Sequence, residues 1–255
     1  MRATILLATL LCGTLSRADD KDEFAKLTKD LKSKDAKVRL KAAEGLASFG
    51  EKASRPLCDA LIDPNTKVAQ ASLLSLEKAN PKLHAPLSIL ILERGEDARH
   101  KAILDVGKLK EEGRPALGIF ITGYHRELAR TTPGTLYINE SDTFVSAIAA
   151  IGGEEPECVK FFQKLATSSP GSIDPRAIRW LVVWAGDKAE RRKEVAPLIK
   201  TGVSGKGDVA YFIGLAGSYG ALCKDSLPVL KKLKFSDDRV VREAATKAIE
   251  MIESR

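Results

Sequence analysis

One pattern recurs along this chain and limits what it can fold into. From Val38, the residues Val38, Arg39, Ala42, Gly45, Leu46, Phe49 and Gly50 stand at offsets 0, 1, 4, 7, 8, 11 and 12. Those offsets trace one face of an α-helix. The frame restarts at Val68, Ala98, Glu140, Ile173, Asp208 and Val241, at spacings of 30, 30, 42, 33, 35 and 33 residues. It is cleanest at Val68, Ala69, Ser72, Ser75, Leu76, Ala79, Asn80 and at Val241, Arg242, Ala245, Ala248, Ile249, Ile252. In the third copy Asp105 occupies a position that elsewhere holds a small residue.

Each frame follows a second amphipathic stretch with an early proline: Pro56, Pro86, Pro115, Pro156, Pro197 and Pro228. Proline is tolerated in a first helical turn, where its missing N–H has no partner to lose. Gly50 and Gly220, and Asn80, stand where a left-handed C-terminal cap is expected. The unit is therefore helix, turn, helix. One such pair cannot bury its own apolar face, so pairs must stack. A hydrophobic content of 44% excludes a disordered chain, and 5% aromatics argues against a β-rich core.

Asp35-Ala-Lys-Val38-Arg39-x-x-Ala42-Ala43-x-x-Leu46 followed by Gly50 resembles a HEAT repeat, as does Asp238-x-x-Val241-Arg242. The resemblance covers residues 22–255, strongly at both ends and more weakly from 114 to 220. It implies an all-α, right-handed α-solenoid of about seven HEAT-like helix pairs and a binding-scaffold role. The pairs fall near 22–50, 51–80, 81–113, 114–153, 154–187, 188–220 and 221–255, in a single repeat domain spanning 19–255. It also implies a ladder of hydrogen bonds between successive turns, with Asp35, Arg39, Arg99, Asp238 and Arg242 as members. Asp63 is a further candidate, although Ala69 fills the arginine position of its own repeat.

Residues 1–18 follow a different logic. Arg2 precedes an apolar run from Ala3 to Cys12, and Ser16 and Ala18 supply small residues before Asp19. This is the pattern of a secretory signal peptide, so the chain is expected to be exported to a periplasmic or extracellular space with cleavage after Ala18. Leu11 stands where a lipidation signal has a small residue before its cysteine, which argues against modification of Cys12. Removing these residues, Arg2 and Arg17 among them, lowers the net charge from +7 to +5. Cys58, Cys158 and Cys223 remain, an odd number, and small buried apolar residues account for them better than a disulfide framework.

The 42-residue spacing is an anomaly. About twelve extra residues lie around 129–142, with Pro133-Gly134 as a turn and Leu136-Tyr137-Ile138 of strand propensity. The turns Ser168–Ser172 and Thr201–Gly207 also read as lengthened. Equivalent turns of a solenoid share one edge, so these loops, including Thr132 and Tyr137, are candidates for partner contact. In the family, second helices line the concave face. Outward offsets there give His100, Lys101, Leu104 and Lys108, then Arg176, Arg179 and Val183, then Tyr211, Gly214 and Ser218. The surface is modestly basic with one aromatic, which suits a protein or an acidic polymer as partner. Trp180 and Trp184 share a face at interior offsets and read as core.

Catalytic and metal patterns do not emerge. His84, His100 and His125 are isolated, no His-Glu-x-x-His or Gly-x-Ser-x-Gly occurs, and Gly205-Lys206-Gly207 lacks the first glycine and the Ser/Thr of a phosphate loop. Asp237-Asp238 and Glu154-Glu155 are expected at helix starts, where the macrodipole favours acids. No catalytic residue, metal or cofactor is assigned. The competing class is a helical-repeat enzyme, either similar to phycobilin lyases or to HEAT-like DNA glycosylases; Trp180, Trp184 and Asp187 vaguely resemble the glycosylase set. A signal peptide and a charge of only +5 argue against nucleic acid as partner.

Overall fold

The computed structural model describes residues 20–93, 95–130, 140–205 and 207–254. The described residues form no strand, and the fold is an all-α stack of helix pairs. It divides into two compact units, residues 1–152 and 153–255. The division falls at Gly152-Gly153, between the fourth and fifth helix pairs, and Gly153 has a φ of 53°. Residues 1–18, where a signal peptide is expected, and Cys12 among them lie outside the described residues.

The first unit contains α1 (20–30), α2 (Ala36–Gly45), α3 (Ser54–Ala60), α4 (Thr66–Ala79), α5 (Pro81–Leu92), α6 (Glu96–Lys108), α7 (Leu117–Arg130) and α8 (Glu140–Gly152). The second contains α9 (Pro156–Ala166), α10 (Pro175–Ala185), α11 (Ala189–Ser204), α12 (Val209–Tyr219), α13 (Leu227–Leu233) and α14 (Arg239–Glu253). Tight 3₁₀ segments, Leu46–Ala53, Lys110–Ala116 and Gly220–Ser226, lead into α3, α7 and α13.

The second helices bury the face their spacing predicts. Offsets 4 and 8 are buried in every pair: Ala42 and Leu46, Ser72 and Leu76, Ala102 and Val106, Phe144 and Ile148, Ala177 and Leu181, Phe212 and Ala216, Ala245 and Ile249. A fully buried leucine- or phenylalanine-sized side chain contributes about 1.5–3 kcal/mol, so Leu46, Leu76, Phe144, Ile148, Leu181 and Phe212 contribute most within these columns. In the first unit Phe120 meets Phe144 edge to face, with centroids 5.6 Å apart. In the second, Phe162, Trp180 and Trp184 stack in series at 4.4 and 6.4 Å. The two tryptophans are thus packed, although each remains half-buried. The thiols of Cys58, Cys158 and Cys223 are free and buried. Burial pushes Cys158 up to about 12 and Cys223 up to about 11, and raises Cys58 as well, so all three stay protonated.

The stacking departs from simple alternation at the third pair. α3 packs against α7 and the 3₁₀ segment before it, while α5 packs between α4 and α6. α2 meets α4, α6 meets α8, and α5 meets both α4 and α6. Two prolines also fall elsewhere than expected, Pro86 inside α5 and Pro197 inside α11. Each removes a bond to the carbonyl four residues earlier, on Lys82 and Lys193, and both residues are exposed to water. Gly50 and Gly220 do adopt positive φ, 59° and 58°, at helix ends. Asn80 does not. Its φ is −151°, and its side chain caps α5 by accepting from the Leu83 N–H at 3.2 Å while donating to Ser54 Oγ at 3.1 Å.

Candidate functional site

The turn that opens α2 recurs at α14. Asp35 accepts from the Lys37 N–H at 2.8 Å and Asp238 from the Val240 N–H at 2.8 Å, each capping its helix. Two residues earlier, Ser33 Oγ accepts from the Asp35 N–H and Ser236 Oγ from the Asp238 N–H, both at 3.2 Å. Arg39 Nη1 donates to the Ser33 carbonyl at 2.9 Å, and Arg242 Nη1 to the Ser236 carbonyl at 2.6 Å. The shared motif is Ser-x-Asp-x-x-x-Arg, and its serine was the missed signal.

Asp35 and Asp238 are consumed as caps. Arg39 reaches Asp63, the further ladder candidate, in the following pair, Nε to Oδ2 at 2.7 Å and Nη2 to Oδ1 at 2.9 Å. Arg99 reaches Glu127 at 3.4 Å. Arg242 has no described carboxylate partner.

In the first unit His100 Nδ1 lies 2.9 Å from Thr143 Oγ1, so this histidine bridges α6 to α8 and does not point freely outward. Lys101 and Lys108 are exposed, and both bind Asp105, at 3.0 and 2.7 Å. Those bonds hold the Asp105 carboxyl below its ordinary range, and they explain an acid at a small-residue position. Leu74, on α4 at the offset of Leu104, was overlooked; it is 62% exposed.

In the second unit Asp174 caps α10, accepting from the Arg176 N–H at 2.8 Å, and also takes the Arg176 guanidinium at 2.6 Å. Burial pushes the Asp174 carboxyl up, but the Arg176 bonds outweigh it and the net shift is down. Arg179 stands 5.5 Å from the centre of the Tyr211 ring, bringing α10 and α12 together at one cation–π contact. Tyr211 leans edge-on against Phe212 at 5.6 Å. A methyl added to Gly214 would meet nothing within 4 Å, so the surface there is open. Val183 is 81% exposed. Ser218 is exposed, its Oγ donating to the Leu215 carbonyl and its own carbonyl accepting from Arg192. Lys247, exposed on α14 at the offset of Arg179 and Gly214, completes the cationic set and was also overlooked.

The loop candidates fare unevenly. Thr132 and Tyr137 lie outside the described residues, as does Lys206. The Ser168–Ser172 loop stands between α9 and α10. Thr201–Ser204 is not loop at all: α11 runs through Ser204, and Gly202 and Val203 are buried. At Gly202 the Phe212 ring presses directly on the helix backbone. Glu154-Glu155 directly precede α9, and the Glu154 carboxylate takes Arg191 at 2.8 Å and Lys188 at 3.1 Å. Arg191 also covers Trp184 at 4.8 Å. Among the described residues no three His, Cys, Asp or Glu side chains form a metal-holding group.

No known protein family and no curated protein matches this sequence. Among solved structures, it is similar to an engineered protein at 16% identity and a TM-score of 0.40, over 91% of this chain and 68% of the other. A designed armadillo repeat protein is similar at 18% identity and a TM-score of 0.23, over 89% and 98%. Computationally designed armadillo repeat proteins for modular peptide recognition give 18% identity and a TM-score of 0.23, over the same shares.

Proposed function

We propose that this protein is an exported, non-catalytic helical-repeat scaffold that binds an acidic protein segment or polymer through the exposed face of α10, α12 and α14. The observation that carries this reading is Arg179 lying against Tyr211 beside the open surface at Gly214, with Lys247 one helix further on. A cation held against a ring loses less side-chain freedom when a carboxylate arrives, and a bare glycine surface lets a backbone approach closely. Coulombic attraction of this kind is screened by salt, so binding should weaken as ionic strength rises. Export rests on the pattern of residues 1–18, and N-terminal sequencing of the protein recovered from the cell envelope should begin at Asp19.

The test is titration of a fluorescent poly-glutamate peptide into the purified protein at low salt, read by anisotropy. Replacing Arg179 and Tyr211 together by alanine should weaken binding at least tenfold, while Lys231→Ala, outside this face, leaves it unchanged. Equal binding by all three proteins, or no binding by any, overturns the reading. Retention of duplex DNA with the same dependence on Arg179 would favour the nucleic-acid class instead.

A further inference from the structure

Arg39 and Arg242 sit in the same turn motif, yet their guanidinium groups end differently. In both, Nη1 is spent on the carbonyls of the turn, Ser33 and Lys34 for Arg39, Ser236 and Asp237 for Arg242. The remaining edge of Arg39, formed by Nε and Nη2, is filled by Asp63 of the next helix pair. Arg99 likewise takes a carboxylate from farther along the chain. The same edge of Arg242 receives no carboxylate from any described residue, although it is held in the same orientation by the same turn. The molecule itself thus shows what belongs there: a carboxylate from a neighbouring layer, bound two-pronged.

Three features surround that open edge. Phe235 is 81% exposed and Val240 64% exposed, on either side of the carbonyls that Arg242 grips. In the first pair the equivalent positions carry Lys32 and Lys37, which are at home in water. Asp237, within the same turn, is exposed and its carboxylate has no ion-pair partner among the described residues. Donor edge, apolar pair and carboxylate therefore occur together on one turn. A surface that carries both halves of an ion pair is self-complementary, which is the requirement of a two-fold contact between identical chains.

We propose that the turn between α13 and α14 is a self-association surface, in which Arg242 of each copy takes Asp237 of the other while Phe235 and Val240 cover one another. One turn per copy is a small contact, so the dimer is a weak one, formed at high protein concentration and loosened by salt.

Sedimentation equilibrium of the purified protein up to about 1 mM tests this. The expected result is a monomer–dimer equilibrium that Phe235→Lys or Asp237→Lys each weakens at least tenfold. Both positions are exposed, so neither change disturbs folding, and circular dichroism checks that. A third variant, Arg242→Lys, keeps the charge but loses the two-pronged geometry, and should weaken the dimer as well. Monomer mass at every concentration overturns the proposal, as does a dimer indifferent to both Phe235→Lys and Asp237→Lys. Poly-glutamate binding through Arg179 is expected to be the same in these variants, so this surface and the α10–α12–α14 face succeed or fail separately.

Discussion

The guanidinium of Arg39 grips the carboxylate of Asp63 with two parallel hydrogen bonds, joining the turn that opens α2 to the turn that opens α4. Both side chains are largely withdrawn from water, at 13% and 9% exposure. Asp63 also accepts from the Asn65 N–H at 2.8 Å, so one carboxylate organises its own turn and its neighbour's.

That arrangement predicts a marked loss of stability for Asp63→Asn, larger than for Asp105→Asn. Asp105 bonds only to lysines that are 77% and 72% exposed, and such surface pairs contribute little. The hydrogen bond from Arg39 holds the Asp63 carboxyl below its usual range. Its contribution is therefore complete above the ordinary carboxylate value and is lost as pH falls through the lowered one. Thermal unfolding of both variants at neutral and acidic pH checks this: the gap between wild type and Asp63→Asn should close in acid.

Glu154 makes a parallel case in the second unit. The Arg191 guanidinium, aided by Lys188, holds its carboxyl at about 2 against an ordinary 4.5. The sign is the same: the contribution is present above 4.5 and disappears as pH falls toward 2. Because Glu154 is 66% exposed, salt should erode the effect. Acid titration of Glu154→Gln against wild type, followed by tryptophan fluorescence since Arg191 lies on Trp184, should show the two curves merging at low pH.

Gly202 and Gly214 should respond oppositely to alanine. A methyl on Gly202 would overlap the Phe212 ring, so Gly202→Ala should cost about 1–3 kcal/mol through overpacking. Gly214 has open space where the methyl would go, so Gly214→Ala should stabilise by about 0.5–1 kcal/mol through helix propensity alone. Urea unfolding of the two variants distinguishes them, and a loss in both would contradict the packing at Gly214.

The recurring offsets revealed the helix pairs because the α-helical period is local. Ala42 and Leu46 fall on one face wherever the helix lies, and that face must be covered. Capping was also local, since Asp35 and Asp238 need only their own next turn. The site was less legible. Arg176 read as an outward cation, but Asp174 two residues before it takes its guanidinium. His100 read as outward until α8 brought Thr143 to it. The end of α11 was hidden because Thr201, Gly202 and Ser204 have the composition of a turn, and only the Phe212 ring explains a glycine buried in a helix.

By itself the sequence determined that this chain is helical, in about seven pairs, and which side of each second helix turns inward. Burial of apolar surface is not directional: the pattern demands a cover without naming it. The tertiary structure decided which element supplies the cover, placing α5 between α4 and α6 and seating α3 on α7. It also decided where the charges end, Asp63 on Arg39, Glu154 on Arg191, and no described carboxylate on Arg242. Ion pairs depend on distances between residues far apart in the chain, and no period in the sequence records those distances.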